Sequence, residues 1–315
     1  MIADYWGMET SPFVARYAPR FFVATLWYEE VAARTDHLLR RNAPLGILTG
    51  DAGSGRTWCV SAIRSELQGN GHTSASISLA GLEPDSLLPS ILDALGVDGF
   101  ASSTSGTSTT ASTARQFTIL NDRLAETAYF GRRALLVLED ADRAPTATLA
   151  QIPRLVGYDG VTPRYLTLLL TMRTSPEILT DDADPIGNAD DVEYPHGAIH
   201  SSERTAALAD LYEMATLTME LGAWNATILS GAFEQLMATV GCVRSPFTED
   251  SLETLLRESG GNPRRLMRLA DLSLAAAAAS ELRWVDSETI RWVVDQMMQP
   301  LPPSPPRRTS PIRHE

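Results

Sequence analysis

Apolar positions along the chain fall into two regimes. Short unbroken runs alternate with longer stretches of helical spacing up to about residue 200, and helical spacing alone continues beyond it. Leu45, Ile47 and Leu48 predict a buried strand, Ser74 to Leu79 alternates as a second, Ala134 to Leu138 is the strongest, and Leu166 to Met172 is a further one. Between them the spacing predicts helices over about 27–41, 56–68, 84–95 and 115–129, with another near 145–156. Strands and helices alternating at these distances indicate a parallel sheet with crossover helices. Five more helices are predicted over 205–219, 226–240, 248–258, 263–280 and 286–298. The expected organisation is an N-terminal linker and helix over 1–44, an α/β core over 45–204, and a smaller all-helical domain over 205–299.

Two stretches carry no periodicity. Residues 101–114 are small and polar throughout and read as a loop inside the core, and the proline- and arginine-rich tail at 300–315 reads as disordered. Residues 180–204 are acidic and irregular. Asp182, Asp184, Gly187, Asp190 and Glu193 are spaced somewhat like a calcium loop, but Ile186 takes a ligand position and Pro185 disturbs the turn. An acidic surface loop fits that stretch better. His196 and His200 are four apart, yet Pro195 and Gly197 argue against the helix that would align them.

The first strand breaks into Gly50-Asp51-Ala52-Gly53-Ser54-Gly55, and a helix with Val60, Ile63 and Leu67 on one face follows. Strand, glycine loop and helix form the context of a phosphate-binding loop. Glycines let successive backbone N–H groups turn inward, and the helix N-terminus adds its positive end. The pattern is G-x-x-x-x-G-[K]-[ST] with one departure: Arg56 stands where lysine would reach the β- and γ-phosphates, and Thr57 offers the hydroxyl for Mg²⁺. Arginine keeps the charge, but its planar fork places its donors differently from an ammonium. Phosphate attraction should partly survive that change; hydrolysis is the more exposed property, because a misplacement of about 1 Å can cost on the order of 10²-fold in rate.

The third strand runs into Glu139-Asp140, two carboxylates at the C-terminal edge of a parallel strand, where open α/β sheets bind ligands. With a phosphate loop upstream, the first carboxylate is expected to hold Mg²⁺ and the second to orient an attacking water. The usual order is Asp then Glu, and here it is reversed. The strand LTLLLTMR ends on two candidates for a polar γ-phosphate sensor, Thr171 and Arg173.

Composition sharpens this picture in three ways. The net charge of −13 argues against broad electrostatic attachment to nucleic acid or anionic membrane, without excluding a local basic patch. The opening MIADYWGMETSP lacks the basic and apolar regions of a signal peptide, no apolar run approaches a membrane span, and the two cysteines, Cys59 and Cys242, lack metal spacing; the expected location is the cytoplasm. All 26 basic residues are arginine. Arg56 is therefore either one instance of a chain-wide avoidance of lysine or a change selected at this one site.

Taken together, these motifs resemble the AAA+ ATPases of the general secretion pathway protein A (ExeA-like) group, which are also similar to the ATPase subunits of transposition systems. Tyr5-Trp6-Gly7 with Ser11-Pro12-Phe13 resembles the group's opening motif, residues 50–57 and the stretch LLVLEDAD at 135–142 resemble its two nucleotide motifs, and Gly260-Gly261-Asn262-Pro263-Arg264 resembles the motif that opens a lid helix. The resemblance covers about residues 4–298. It implies a P-loop NTPase sheet followed by a helical lid, with ATP and Mg²⁺ as ligands. The implied nucleotide contacts run through Gly50, Asp51, Ala52, Gly53, Ser54, Gly55, Arg56 and Thr57 to Trp58, with the metal on Thr57 and Glu139. Asp140 would position water, while Thr171 and Arg264 would sense the γ-phosphate; Arg265 is the lesser occupant of the lid position.

Three departures from the group's pattern all weaken hydrolysis. Lysine is replaced, the carboxylates are exchanged, and residues 208–221, where a trans-acting arginine is expected, contain none; Arg204 is the nearest upstream substitute. Such fingers are worth roughly 10³–10⁵ in rate. The expectation is slow, Mg²⁺-dependent ATP hydrolysis in an assembly of like subunits or with a protein partner. The alternatives are a nucleotide-dependent scaffold or switch that does not hydrolyse, and a DNA-associated ATPase using the basic face of Arg264, Arg265 and Arg268. DNA is the less favoured partner, and membrane insertion is not expected.

Overall fold

Strand β1 (Leu45–Gly50) is buried along almost its whole length because neighbouring strands and helices cover both of its faces. β4 (Leu166–Arg173) pairs with it on one side and β5 (Leu217–Leu221) on the other; β3 (Ala134–Glu139) pairs with β4, and β2 (Thr73–Ser78) with β3. All these pairings are parallel, giving the order β2-β3-β4-β1-β5. The computed structural model describes residues 2–11, 13, 22–97, 113–157, 165–174, 198–242 and 244–298. The serine- and threonine-rich stretch up to 112, the acidic stretch with its candidate calcium loop and His196, the side chain of His200, and the tail lie outside the described residues.

Alternate residues of each strand feed two cores. Leu45, Ile47, Leu136, Leu138, Leu168, Leu170 and Met172 face α4 (Pro84–Ala94) and α5 (Thr113–Tyr129), which contribute Leu87, Ile91, Leu92, Leu120 and Leu124. Leu48, Leu135, Val137, Leu169, Met219 and Leu221 face α2 (Leu26–Arg41) and α3 (Arg56–Gly69), which contribute Val31, Leu38, Val60 and Ile63. Each fully buried leucine stabilises by roughly 1.5–3 kcal/mol. This two-sided burial explains why the central strands read as continuous apolar runs.

Two elements differ from the sequence reading. The stretch 205–219, expected as one helix inside an all-helical region, is the end of α8 (Ala198–Met214) followed by β5. Within β5 only Met219 and Leu221 are buried while Thr218 and Glu220 are exposed, the alternation of an edge strand covered on one face. The helix expected near 145–156 is two short ones, α6 (Thr146–Leu149) and α7 (Ile152–Val156), with Pro153 in the first turn of the second. Pro153 has no N–H to continue the earlier turn.

The chain divides into two compact units, Tyr17–Trp224 and Met1–Arg16 with Asn225–Glu315. The first contains the sheet. The second is built on α9 (Ala226–Thr239), α10 (Glu249–Ser259), α11 (Pro263–Ala279) and α12 (Ser287–Met298). Side chains of Asn225, Thr248 and Asn262 cap α9, α10 and α11 by accepting from backbone N–H groups of their first turns. The short α1 (Ile2–Tyr5) joins this unit: the Tyr5 hydroxyl donates to the Leu282 carbonyl at 2.9 Å and the Trp6 indole to the Leu274 carbonyl at 3.2 Å.

Candidate functional site at the carboxyl edge of the sheet

The order of the strands brings three stretches far apart in sequence to one edge. β4 lies between β1 and β3, with Leu48 opposite Thr171 and Leu138 opposite Leu170. The chain leaves β1 into the glycine loop and leaves β3 into Asp140, so Thr171 sits between them on the intervening strand. The Asp140 backbone N–H donates to Thr171 Oγ1 at 3.4 Å.

The glycine loop folds tightly. Gly53 and Gly55 have φ of +88° and +101°, a region that side chains other than glycine rarely adopt. A Cβ on Gly50 would come within 2.7 Å of Ser54 Oγ and 3.1 Å of the Leu221 carbonyl, so only glycine fits the approach. The Ser54 N–H closes a turn on the Asp51 carbonyl at 3.0 Å. Gly55 is the N-cap of α3 and provides no side chain to satisfy the N–H groups of the first turn. Those donors, with the positive end of a 14-residue helix, suit an anionic ligand. Arg56 opens α3, and Thr57 and Trp58, both half-buried, follow on its first turn.

The acidic pair is held differently at its two members. Glu139 Oε1 accepts from Ser76 Oγ of β2 at 2.5 Å. Burial pulls the Arg64 guanidinium of α3 below its ordinary value, and the negative charge of Glu139 opposes that shift. Asp140 adopts a left-handed conformation with φ of 57°, opening the 3₁₀ turn Ala141–Arg143, and its Oδ2 accepts from Ser78 Oγ at 3.4 Å. A third carboxylate engages one of the two polar residues near the end of β4. Asp142 accepts from the Arg173 backbone N–H at 3.2 Å and from its guanidinium at 2.6 Å, which occupies Arg173 and leaves Thr171 as the polar group beside Asp140.

The α/β unit therefore gathers Gly50 to Trp58, Glu139, Asp140 and Thr171 at one edge. Arg264 belongs to the helical unit, exposed in the first turn of α11 after Asn262 and Pro263, with Arg265 beside it. Arg204 lies on α8. The sequence reading missed Ser76, Ser78, Arg64, Asp142 and Trp224. Trp224 donates its indole N–H to the Ser54 carbonyl at 3.1 Å. Asp142 had a signal in the third acidic residue of EDAD; Trp224 had none.

These residues suit a magnesium nucleotide. The loop provides donors without side-chain bulk, and Thr57 with Glu139 supplies hard oxygen ligands of the kind Mg²⁺ takes alongside phosphate oxygens. Among the described residues no helix is long and apolar enough to cross a membrane.

Comparison with known proteins agrees with the geometry. Residues 39–174 match the AAA domain family. General secretion pathway protein A of Aeromonas hydrophila is 21% identical over 279 residues, covering 89% of this chain and 45% of the relative; the chain thus spans less than half of that protein's length. Among solved structures, Drosophila ORC bound to DNA superposes with a TM-score of 0.63 at 12% identity, over 95% of this chain and 66% of that one. Cdc6p from Pyrobaculum aerophilum gives 0.61 at 15%, over 91% and 70%. The RuvB Holliday junction branch migration motor of Thermotoga maritima gives 0.52 at 13%, over 90% and 73%.

Proposed function

We propose that this protein, whose residues 39–174 match the AAA domain family and whose chain also forms a helical unit, is a cytoplasmic ATPase that binds ATP with Mg²⁺ and hydrolyses it slowly, coupling nucleotide state to movement of the helical lid and to assembly with like subunits or a protein partner. One observation carries the reading: the strand order sets the glycine loop, Thr171 and the Glu139–Asp140 pair on a single sheet edge.

Each residue then has a role its chemistry supports. Backbone N–H groups of Gly50 to Gly55 and the first turn of α3 bind the β-phosphate, and Arg56 neutralises charge on the β- and γ-phosphates. Thr57 and Glu139 would hold Mg²⁺, which would offset the negative charge of the phosphates. Asp140 accepts a hydrogen bond from the attacking water and aligns it. Thr171 from β4 and Arg264 from α11 read the γ-phosphate. Nothing in these roles requires a fast enzyme. Aspartate at 140 is one methylene shorter than the glutamate usual there, and residues 208–221 supply no arginine finger.

The second reading is a nucleotide-dependent switch that does not hydrolyse. It is favoured by Arg56 in place of lysine and by the exchanged order of Glu139 and Asp140. Steady-state phosphate release separates the two. The enzyme reading expects turnover above background that Asp140→Asn abolishes, with ATP binding kept in calorimetry. Equal rates for wild type and variant leave the switch, and no heat with any Mg-nucleoside triphosphate removes both.

A further inference from the structure

The helical unit carries a second concave site whose chemistry differs from the sheet edge. Tyr5 and Trp6, the opening motif that the nucleotide reading leaves unused, form one wall of a cleft of about 310 Å³, and Arg244, Arg283 and Trp284 line the rest. Two tethers fix the wall: the Trp6 indole bonds to the Leu274 carbonyl and the Tyr5 hydroxyl to the Leu282 carbonyl. The two rings meet edge to face at 4.9 Å. Tyr5 and Trp284 nevertheless remain 45% and 50% exposed, so aromatic surface stays open to a ligand. Both arginines are exposed, and among the described residues neither guanidinium makes an ion pair.

The cleft lies beyond the C-terminal end of α11, at Leu282 to Trp284, whereas Arg264 opens the N-terminal end of that 17-residue helix. At 1.5 Å per residue the two ends are about 25 Å apart. It is therefore not the lid's nucleotide-sensing end.

We propose that this cleft binds single-stranded nucleic acid, stacking a base on Trp284 and Tyr5 while Arg244 and Arg283 take the flanking phosphates. Rigid aromatic faces beside unpaired arginines are what a splayed strand needs: every base has a π-face, and a guanidinium can take phosphate oxygens two at a time. A duplex hides its base faces and cannot stack there. An acidic peptide would use the arginines but has no use for two exposed rings. With a net charge of −13 the rest of the surface adds no attraction, so binding depends on these side chains.

The test uses the full chain without nucleotide, so failure here leaves the ATPase reading untouched. A fluorescent oligothymidylate of about 15 nucleotides is titrated by anisotropy across a salt series. Two phosphate contacts on a single strand predict a slope of log affinity against log salt of about −1.4, falling to about −0.7 in Arg283→Gln. Trp284→Ala should weaken binding roughly 5- to 150-fold while Trp284→Phe keeps most of it. Absence of binding overturns the proposal. So does a duplex of the same sequence binding as well, equal competition by polyglutamate, or a Trp284→Ala protein of unchanged affinity.

Discussion

The indole N–H of Trp224 donates to the main-chain carbonyl of Ser54 at 3.1 Å, tying the residue that follows β5 and its exit turn to the floor of the glycine loop. A Cβ placed on Gly55 would lie 3.9 Å from the same ring, so the indole also lies against the N-cap of α3. The contact holds a loop whose conformation otherwise rests on glycines, which lose more backbone freedom on ordering than other residues. Trp224→Phe keeps the ring and removes the donor. A neutral hydrogen bond contributes about 0.5–1.5 kcal/mol, so ATP affinity should fall roughly 2- to 13-fold by calorimetry, with thermal stability little changed. If the loop is rigid without the tether, affinity will not move.

Arg56 is the residue whose replacement should raise activity. Its charge suits phosphate, but a planar guanidinium at the start of α3 cannot follow the transferring group as a flexible ammonium does. Arg56→Lys should increase turnover by about tenfold or more with little change in ATP affinity, whereas Arg56→Ala should weaken binding itself. Comparison of kcat with the binding constant for each variant distinguishes the two effects. An Arg56→Lys protein no faster than wild type would place the limit elsewhere, most directly at the exchanged Glu139 and Asp140.

Ser76 orients Glu139 from the neighbouring strand, at 2.5 Å between oxygens. Groups that position a metal-holding carboxylate commonly change metal affinity 10- to 100-fold when removed. Ser76→Ala should therefore raise the Mg²⁺ concentration needed for half-maximal ATP binding by roughly tenfold, and saturating Mg²⁺ should restore the wild-type level. A shift that saturating metal does not reverse would mean the serine supports the strand and not the site.

How much of this could be read from the chain depended on where each contact was made. β1, β3 and β4 were legible because both faces are buried, so each is rich in apolar residues along its whole length, and the glycine loop was legible because its spacing is local. β5 was not. At the edge of the sheet it buries only Met219 and Leu221, and its short alternation follows α8 with too few residues between to break a helical pattern. The pairing of Arg173 with Asp142 was not legible because the two lie 31 residues apart. Ser76 and Ser78 look like ordinary small residues of a strand until the register sets Ser78 opposite Glu139.

Cys59 tests the packing beneath the site. It lies on α3 against the core, 3% exposed, and burial pushes its thiol up to about 12 from an ordinary value of 9.0. A thiol whose folded value is raised stays protonated in the folded protein while it ionises in the unfolded chain. Its contribution is complete below about pH 9 and is lost as pH climbs toward 12, at about 1.4 kcal/mol per pH unit for one proton. Tyr28, raised to about 12 by partial burial and by Glu66, acts in the same direction with a smaller effect because its hydroxyl contact with Glu66 is exposed to solvent. Denaturant unfolding of the wild type should therefore weaken between pH 9 and pH 11, and Cys59→Ala should flatten that dependence at the cost of lower stability at neutral pH. In the folded protein at pH 8 a thiol reagent should modify the half-buried Cys242 and spare Cys59. Rapid labelling of both would show that α3 does not pack on the sheet as described.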